Sequence, residues 1–176
     1  MKKVWTMVAF GAGLVSMGAA AEWAPGFWQH HIETEISIPA STERVWALLM
    51  DFEGHPRWNP FIRQIQGASV VGQKLQVRVQ PVGGREMEFE PEVLVVQPQQ
   101  AFRWKGQWLM PGIFDGEHYF ELRSDAGGTT VLVHGERFSG LLVPVLREQL
   151  NSGTRPGFEA MNKALKEEVQ RIKSGH

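Results

Sequence analysis

The sequence predicts an α+β domain: one curved antiparallel sheet of about seven strands lies against a long C-terminal helix, with two short helices after the first strand. Three observations predict it. In the stretch from Asn151 to Lys173, Phe158, Met161, Leu165, Val169 and Ile172 recur every three or four residues. They form one apolar stripe on a helix whose other positions are Lys, Glu, Asn, Gln or Arg. Upstream, segment after segment alternates apolar and polar residues with the period of a half-buried strand. The segments are joined by Gly- and Pro-rich turns too short to hold crossover helices, so neighbouring strands run antiparallel.

In order, Ile32, Thr34, Ile36 and Ile38 alternate with Glu33, Glu35 and Ser37 in a first strand that Pro39 ends. Ser41 or Thr42 then caps a helix with Val45, Trp46, Leu48, Leu49 and Phe52 on its buried face. Asp51–His55 breaks that helix, and the Pro-rich run to Pro60 allows only a turn or a short helical piece. Ile62 and Ile65 mark the next strand, and Leu75, Val77 and Val79 the one after it. Met87, Phe89, Val93 and Val95 form a further strand interrupted by Pro91, an edge or bulge signal. Phe102, Trp104, Gly106 and Trp108 alternate with Arg103, Lys105 and Gln107; this basic row is expected to face the acidic row Glu86–Glu92. His118, Phe120 and Leu122 share one face of the next strand. After a turn at Ser124–Gly128, Thr130, Leu132, His134, Glu136 and Phe138 share a face of the last.

Lys and Arg total 18 against 19 Asp and Glu, with neither sign in long runs, so there is no nucleic-acid footprint. There is no cysteine, which excludes disulfides, Cys-ligated zinc and thiol chemistry. Met1-Lys2-Lys3, the uncharged run Val4–Ala20 and the small residues Gly18–Ala21 before Glu22 have the three parts of a secretory signal peptide. Cleavage is expected after Ala21; a retained anchor is the alternative. The expected organisation is a signal peptide (1–21), a leader (22–31) and one domain (32–173), in a periplasmic or secreted protein. In the leader, Trp23, Phe27 and Trp28 are expected on the outside, where they offer a membrane contact. His30 and His31 point to opposite faces of a strand and cannot share a metal.

IPASTERVWALLMDFEGHPRWNPFI, HYFEL, LVHGERFSGLL and PGFEAMNKALKEEV resemble the polyketide cyclase/dehydrase and START-like superfamily, often called SRPBCC, over residues 32–173. The resemblance implies a helix-grip fold with a deep cavity between sheet and helix for a hydrophobic or polycyclic small molecule. Candidates for its wall are Trp46, Trp58, Phe61, Phe89, Trp104, Trp108, Phe120, Phe138, Phe158 and Met161. His118, His134 and Glu136 are the polar candidates. They either hydrogen-bond each other or the C-terminal helix, satisfying buried polar groups and orienting a ligand's polar end, or, as acid and base on a ketone or enol, serve a cyclase or dehydratase. No cofactor or metal is expected, since these residues lack the spacing of a metal motif. Asp51, His55, Arg57, Trp58 and Asn59 form a second cluster near the implied cavity mouth, in which Asp51 and His55 have the spacing to pair. Arg63 or Arg137, if directed inward, would hold an anionic head group. The expected partner is a hydrophobic small molecule bound by a monomer. A membrane-surface accessory role is the third reading.

Overall fold

The computed structural model describes residues 26–125 and 127–174. The expected signal peptide, Trp23 and the first part of the leader lie outside the described residues. Within them the order is β1 (Gln29–Ile38), α1 (Thr42–Met50), a 3-10 turn (Phe52–Gly54), α2 (His55–Trp58), β2 (Ile62–Gln66), β3 (Gln76–Val79), β4 (Met87–Phe89) and β5 (Glu92–Gln97). There follow β6 (Ala101–Trp108), β7 (Phe114–Ser124), β8 (Thr130–Ser139), α3 (Val143–Gln149), a π-helical turn (Leu150–Thr154) and α4 (Arg155–Ser174). The described residues thus make eight strands in two ladders, β1-β8-β7-β6-β5 and β2-β3-β4, with one isolated bridge, Lys74 to Glu92, between them. The sequence predicts about seven strands in one sheet. Pro91 lacks the N–H that would continue the ladder, so the predicted strand through Met87 and Val95 splits into β4 and β5.

β1 begins at Gln29 rather than Ile32, because Gln29, His30 and His31 pair with Ser139, Phe138 and Arg137 of β8. The first strand of the sheet is therefore zipped to the last. Gly140 makes the exit from β8 possible: at φ 127 it turns where an added Cβ would lie 2.6 Å from the Ile113 carbonyl oxygen. The cap of α1 is Ser41, whose Oγ accepts from the Arg44 amide at 3.4 Å.

The core lies between the inner face of the five-stranded sheet and α4. Phe158, Met161, Leu165 and Val169, four members of the predicted stripe, are all essentially buried, against Ile32, Phe102, Phe120 and Leu132 among others. Removing each such side chain from water contributes about 1.5–3 kcal/mol. The outer face carries ion pairs with partners other than those expected. Arg103 bonds Glu117 and Glu121 of β7, and the acidic residues Glu86 and Glu88 pair with Arg78 of β3. Only Lys105 stands opposite an acid of the expected row, in register with Glu92.

Candidate functional site

Antiparallel register decides which inward residues meet. His118 stands directly opposite Glu136, whereas His134 stands opposite Phe120 and one diagonal away from His118. The three polar side chains form a chain of contacts beneath α4. Glu136 Oε2 lies 3.3 Å from His118 Nδ1, and His118 Nε2 lies 3.0 Å from His134 Nε2. His134 Nδ1 lies 2.8 Å from Asn162 Oδ1 on α4, and Asn162 Nδ2 donates to Thr34 Oγ1 at 2.9 Å. Thr34 Oγ1 in turn donates to the His134 carbonyl at 3.1 Å.

The far end of this chain sets the direction of every proton in it. A carbonyl only accepts, so Thr34 spends its hydroxyl proton there and accepts from the Asn162 amide. Asn162 Oδ1 then accepts from His134 Nδ1–H, leaving His134 Nε2 as an acceptor for His118 Nε2–H. His118 Nδ1 is left without a proton, and the Glu136 carboxyl must supply one. Electrostatics agrees with this accounting. Burial pushes the His118 pKa down to about 3 and holds His134 well below the ordinary imidazole value, while the same desolvation pushes Glu136 up to about 8. His118 and Glu136 are thus a neutral hydrogen-bonded pair near pH 7 rather than an ion pair.

Rings fix this chain from both sides. Trp104 stacks on His118 with 4.5 Å between centroids and 4° between planes, and Phe158 stacks on His134 at 3.9 Å. Phe120 contacts both imidazoles, and Phe61 meets Phe158 edge to face. The middle of the expected cavity is therefore occupied by its own wall: Trp104, Phe120, Phe158 and Met161 are packed core. Sequence patterning places side chains on the inner face but does not measure whether their volumes close the gap.

At one end the chain of polar groups reaches the half-buried Thr34, and at the other it opens at Glu136. Its side chain keeps 19% of its surface exposed, against 5% for His118. The carboxyl folds over Gly116, where an added Cβ would fall 2.3 Å from Oε1. Gly116 is in register with Gly106 of β6, whose own Cβ would meet only Pro91, at 3.7 Å. Two neighbouring strands thus lack inward side chains here; the Glu136 carboxyl covers Gly116, which is buried, and Gly106 stays partly exposed. Phe138 and Phe114 stack at 5.5 Å along the next rows toward the sheet end.

The other predicted residues divide. Phe61 and Phe138 are buried, and Trp46, Trp58 and Phe89 are half-buried. Trp108 is not wall. It has the inward phase of β6, but the strand runs past the end of the core and leaves it 49% exposed. Asp51 pairs with Arg57, not with His55. His55, itself buried, bonds the Leu49 carbonyl and Asn59, and Asn59 Oδ1 accepts from the Phe61 and Ile62 amides, so this cluster holds a turn together. Beside it, a cleft of about 500 Å³ is lined by Met50, Asp51, Phe52, Glu53, Ile65, Gln66 and Gly67. Trp58 Nε1 is buried with no partner among the described residues. Neither arginine holds a head group inside. Arg63 is exposed and bonds the Asn59 carbonyl, and Arg137 lies on the outer face over Tyr119, paired with Glu117. The imidazoles and Glu136 aim at one another rather than at a shared point, and no group of three metal-ligating side chains is found among the described residues.

Asn162 is the member of this polar chain that patterning misses. It lies four residues after Phe158 and beside Met161, within the apolar stripe, yet its amide assigns it to the wet face. A polar residue at a core position of a striped helix is the signal that marks it.

A family model described as polyketide cyclase / dehydrase and lipid transport matches residues 29–170, nearly all of the described chain. The chain belongs to this family. Solved structures share the fold. The Zhui aromatase/cyclase of Streptomyces sp. R1128 is 19% identical with a TM-score of 0.67, over 81% of this chain and 94% of that one. A START superfamily protein from Mycobacterium smegmatis is 20% identical with a TM-score of 0.61, over 81% and 99%. At these identities the likeness is one of fold. No curated protein matches the sequence. For this polyketide cyclase/dehydrase family member, membership points to a ligand-binding or cyclase/dehydrase-like role.

Proposed function

We propose that this protein, as an exported monomer, binds a hydrophobic small molecule, a lipid or an aromatic polyketide-like compound, on the inner face of its sheet. Glu136 Oε1, the carboxyl oxygen not engaged with His118, accepts a hydrogen bond from the ligand's polar end. One observation carries the reading: the polar chain ends at the partly exposed Glu136, beside the side-chain-free backbone of Gly106 and Gly116 and the stacked Phe114 and Phe138. An apolar site with a single placed polar group is the usual composition of a small-molecule pocket. His118 and His134 position the carboxyl and do not themselves meet the ligand. Family membership supports the ligand class, and the signal-like residues Met1–Ala21 support export.

The test is native mass spectrometry with organic extraction on protein recovered from the exported fraction, followed by displacement of an apolar dye. A defined extra mass on a chain starting at Glu22, lost or weakened in Glu136→Ala, is the expected result. A protein that carries nothing and takes up no apolar dye overturns the proposal.

A second reading is a cyclase or dehydratase. What favours it is the burial of Glu136, which keeps its carboxyl protonated near neutral pH; in this reading the proton turns from His118 Nδ1 to a ketone oxygen. Glu136→Gln separates the readings: a carrier retains most affinity, and an enzyme retains binding but loses turnover by about 10²–10⁴-fold.

A further inference from the structure

Three uncharged segments meet at one end of the five-stranded sheet: the entry at Gly26–Gln29, the β6–β7 connection from Gly106 to Phe114, and the exit from β8 between Phe138 and Leu146. Backbone hydrogen bonds tie them together. The Gly140 amide donates to the Trp28 carbonyl at 3.0 Å, and those of Leu141 and Leu142 donate to Gly112 and Ile113, also at 3.0 Å. On this frame Phe27, Trp28, Leu109, Met110, Leu141 and Val145 are each more than half exposed. The most exposed aromatic side chains among the described residues, Phe27, Trp28 and Trp108, are all here. Leu109 sits at φ 70, a left-handed conformation unusual for leucine, with its side chain turned to solvent. A contiguous apolar surface of this kind on an otherwise charged domain marks a contact site.

We propose that this end of the sheet rests on a lipid bilayer. The chemistry favours lipid as the occupant. Trp and Phe at loop tips, beside Leu and Met and with no charge in any of the three segments, match the side chains that partition into the headgroup and upper acyl region. Arg147 stands at the margin, its guanidinium held by the carbonyls of Phe27 and Gln29, where a cation meets lipid phosphate. The chain enters the patch at Gly26 directly after Trp23-Ala24-Pro25, an uncharged stretch with a further tryptophan. The patch adjoins the proposed ligand site, since its segments begin or end at Gly106, Phe114 and Phe138, but its exposed side chains from Phe27 to Val145 are not part of that site.

The chain has no cysteine, so a single introduced one is labelled cleanly. An environment-sensitive NBD probe is placed in Leu109→Cys, in Val145→Cys and, as control, in Glu167→Cys on the exposed side of α4. The protein as purified is mixed with vesicles of phosphatidylcholine and phosphatidylglycerol. The proposal expects NBD emission at both patch sites to rise severalfold and to be quenched by nitroxide-labelled lipid, with the control unchanged. Water-like emission at the patch sites overturns it, even if the protein sediments with vesicles, because residues before Gly26 would then make the contact alone. A rise that follows protein concentration without lipid also overturns it, in favour of a second copy covering the patch.

Discussion

The Nε2 atoms of His118 and His134 face each other at 3.0 Å, so one ring carries the shared proton and the other accepts it. Which ring does so is decided at Thr34, whose hydroxyl is committed to a backbone carbonyl. Side-chain ¹⁵N NMR should therefore find His118 as the Nε2–H tautomer and His134 as the Nδ1–H tautomer. The reverse assignment would show that the chain runs the other way, with Glu136 ionised.

Asn162 links the helix to this chain through two bonds. Replacing it by Leu leaves the buried His134 Nδ1–H without an acceptor and removes the donor to Thr34 Oγ1, which keeps its bond to the His134 carbonyl. Chemical denaturation should show a loss of about 1–3 kcal/mol, with the His134 tautomer preference abolished. An unchanged midpoint would remove the amide from the account.

The pH dependence of stability follows from the signs of the shifts. His118 and His134 are depressed, so their contribution is present above the ordinary imidazole value and is lost as pH falls toward 3. Glu136 is raised, so its contribution is full below the ordinary carboxyl value and is lost as pH rises through about 8. These groups together place maximal stability near pH 6–7, with each group's limb limited to about 1.4 kcal/mol per pH unit. Glu136→Gln should flatten the alkaline limb and leave the acid limb in place. Melting temperatures across pH 4–9 check both.

Gly116→Ala puts a methyl group where the Glu136 carboxyl lies. The carboxyl must swing away from His118, so dye affinity should fall and the alkaline limb should weaken, at a cost of about 1–3 kcal/mol in stability. Gly106→Ala is the control: its methyl meets only Pro91 at ordinary contact distance, and the Glu136–His118 bond should survive.

Phe158→Ala removes the ring stacked on His134 and packed on Phe61. A loss of about 3–5 kcal/mol is expected from the cavity left in the core. The same space should admit small aromatic molecules that the parent protein excludes, measurable by dye or xenon binding.

Much of this was legible in the residues themselves. The stripe from Phe158 to Val169, the alternation of β1 and β6–β8 and the Ser41 cap are local patterns, set by the periods of helix and strand and by where free N–H groups fall. The same phase put His118, His134 and Glu136 on one face. Register was not legible, because a period of two says which face a residue occupies and not which residue stands opposite. Pairing alone made His118 the partner of Glu136, gave Arg103 to Glu117 and Glu121, and set Gly106 beside Gly116. Tertiary packing alone filled the expected hollow with its own rings, left Trp108 beyond the end of the core and drew Asn162 inward. Those outcomes depend on side-chain volumes and on where one element ends against another, which are properties of the assembled sheet and helix rather than of any stretch of chain.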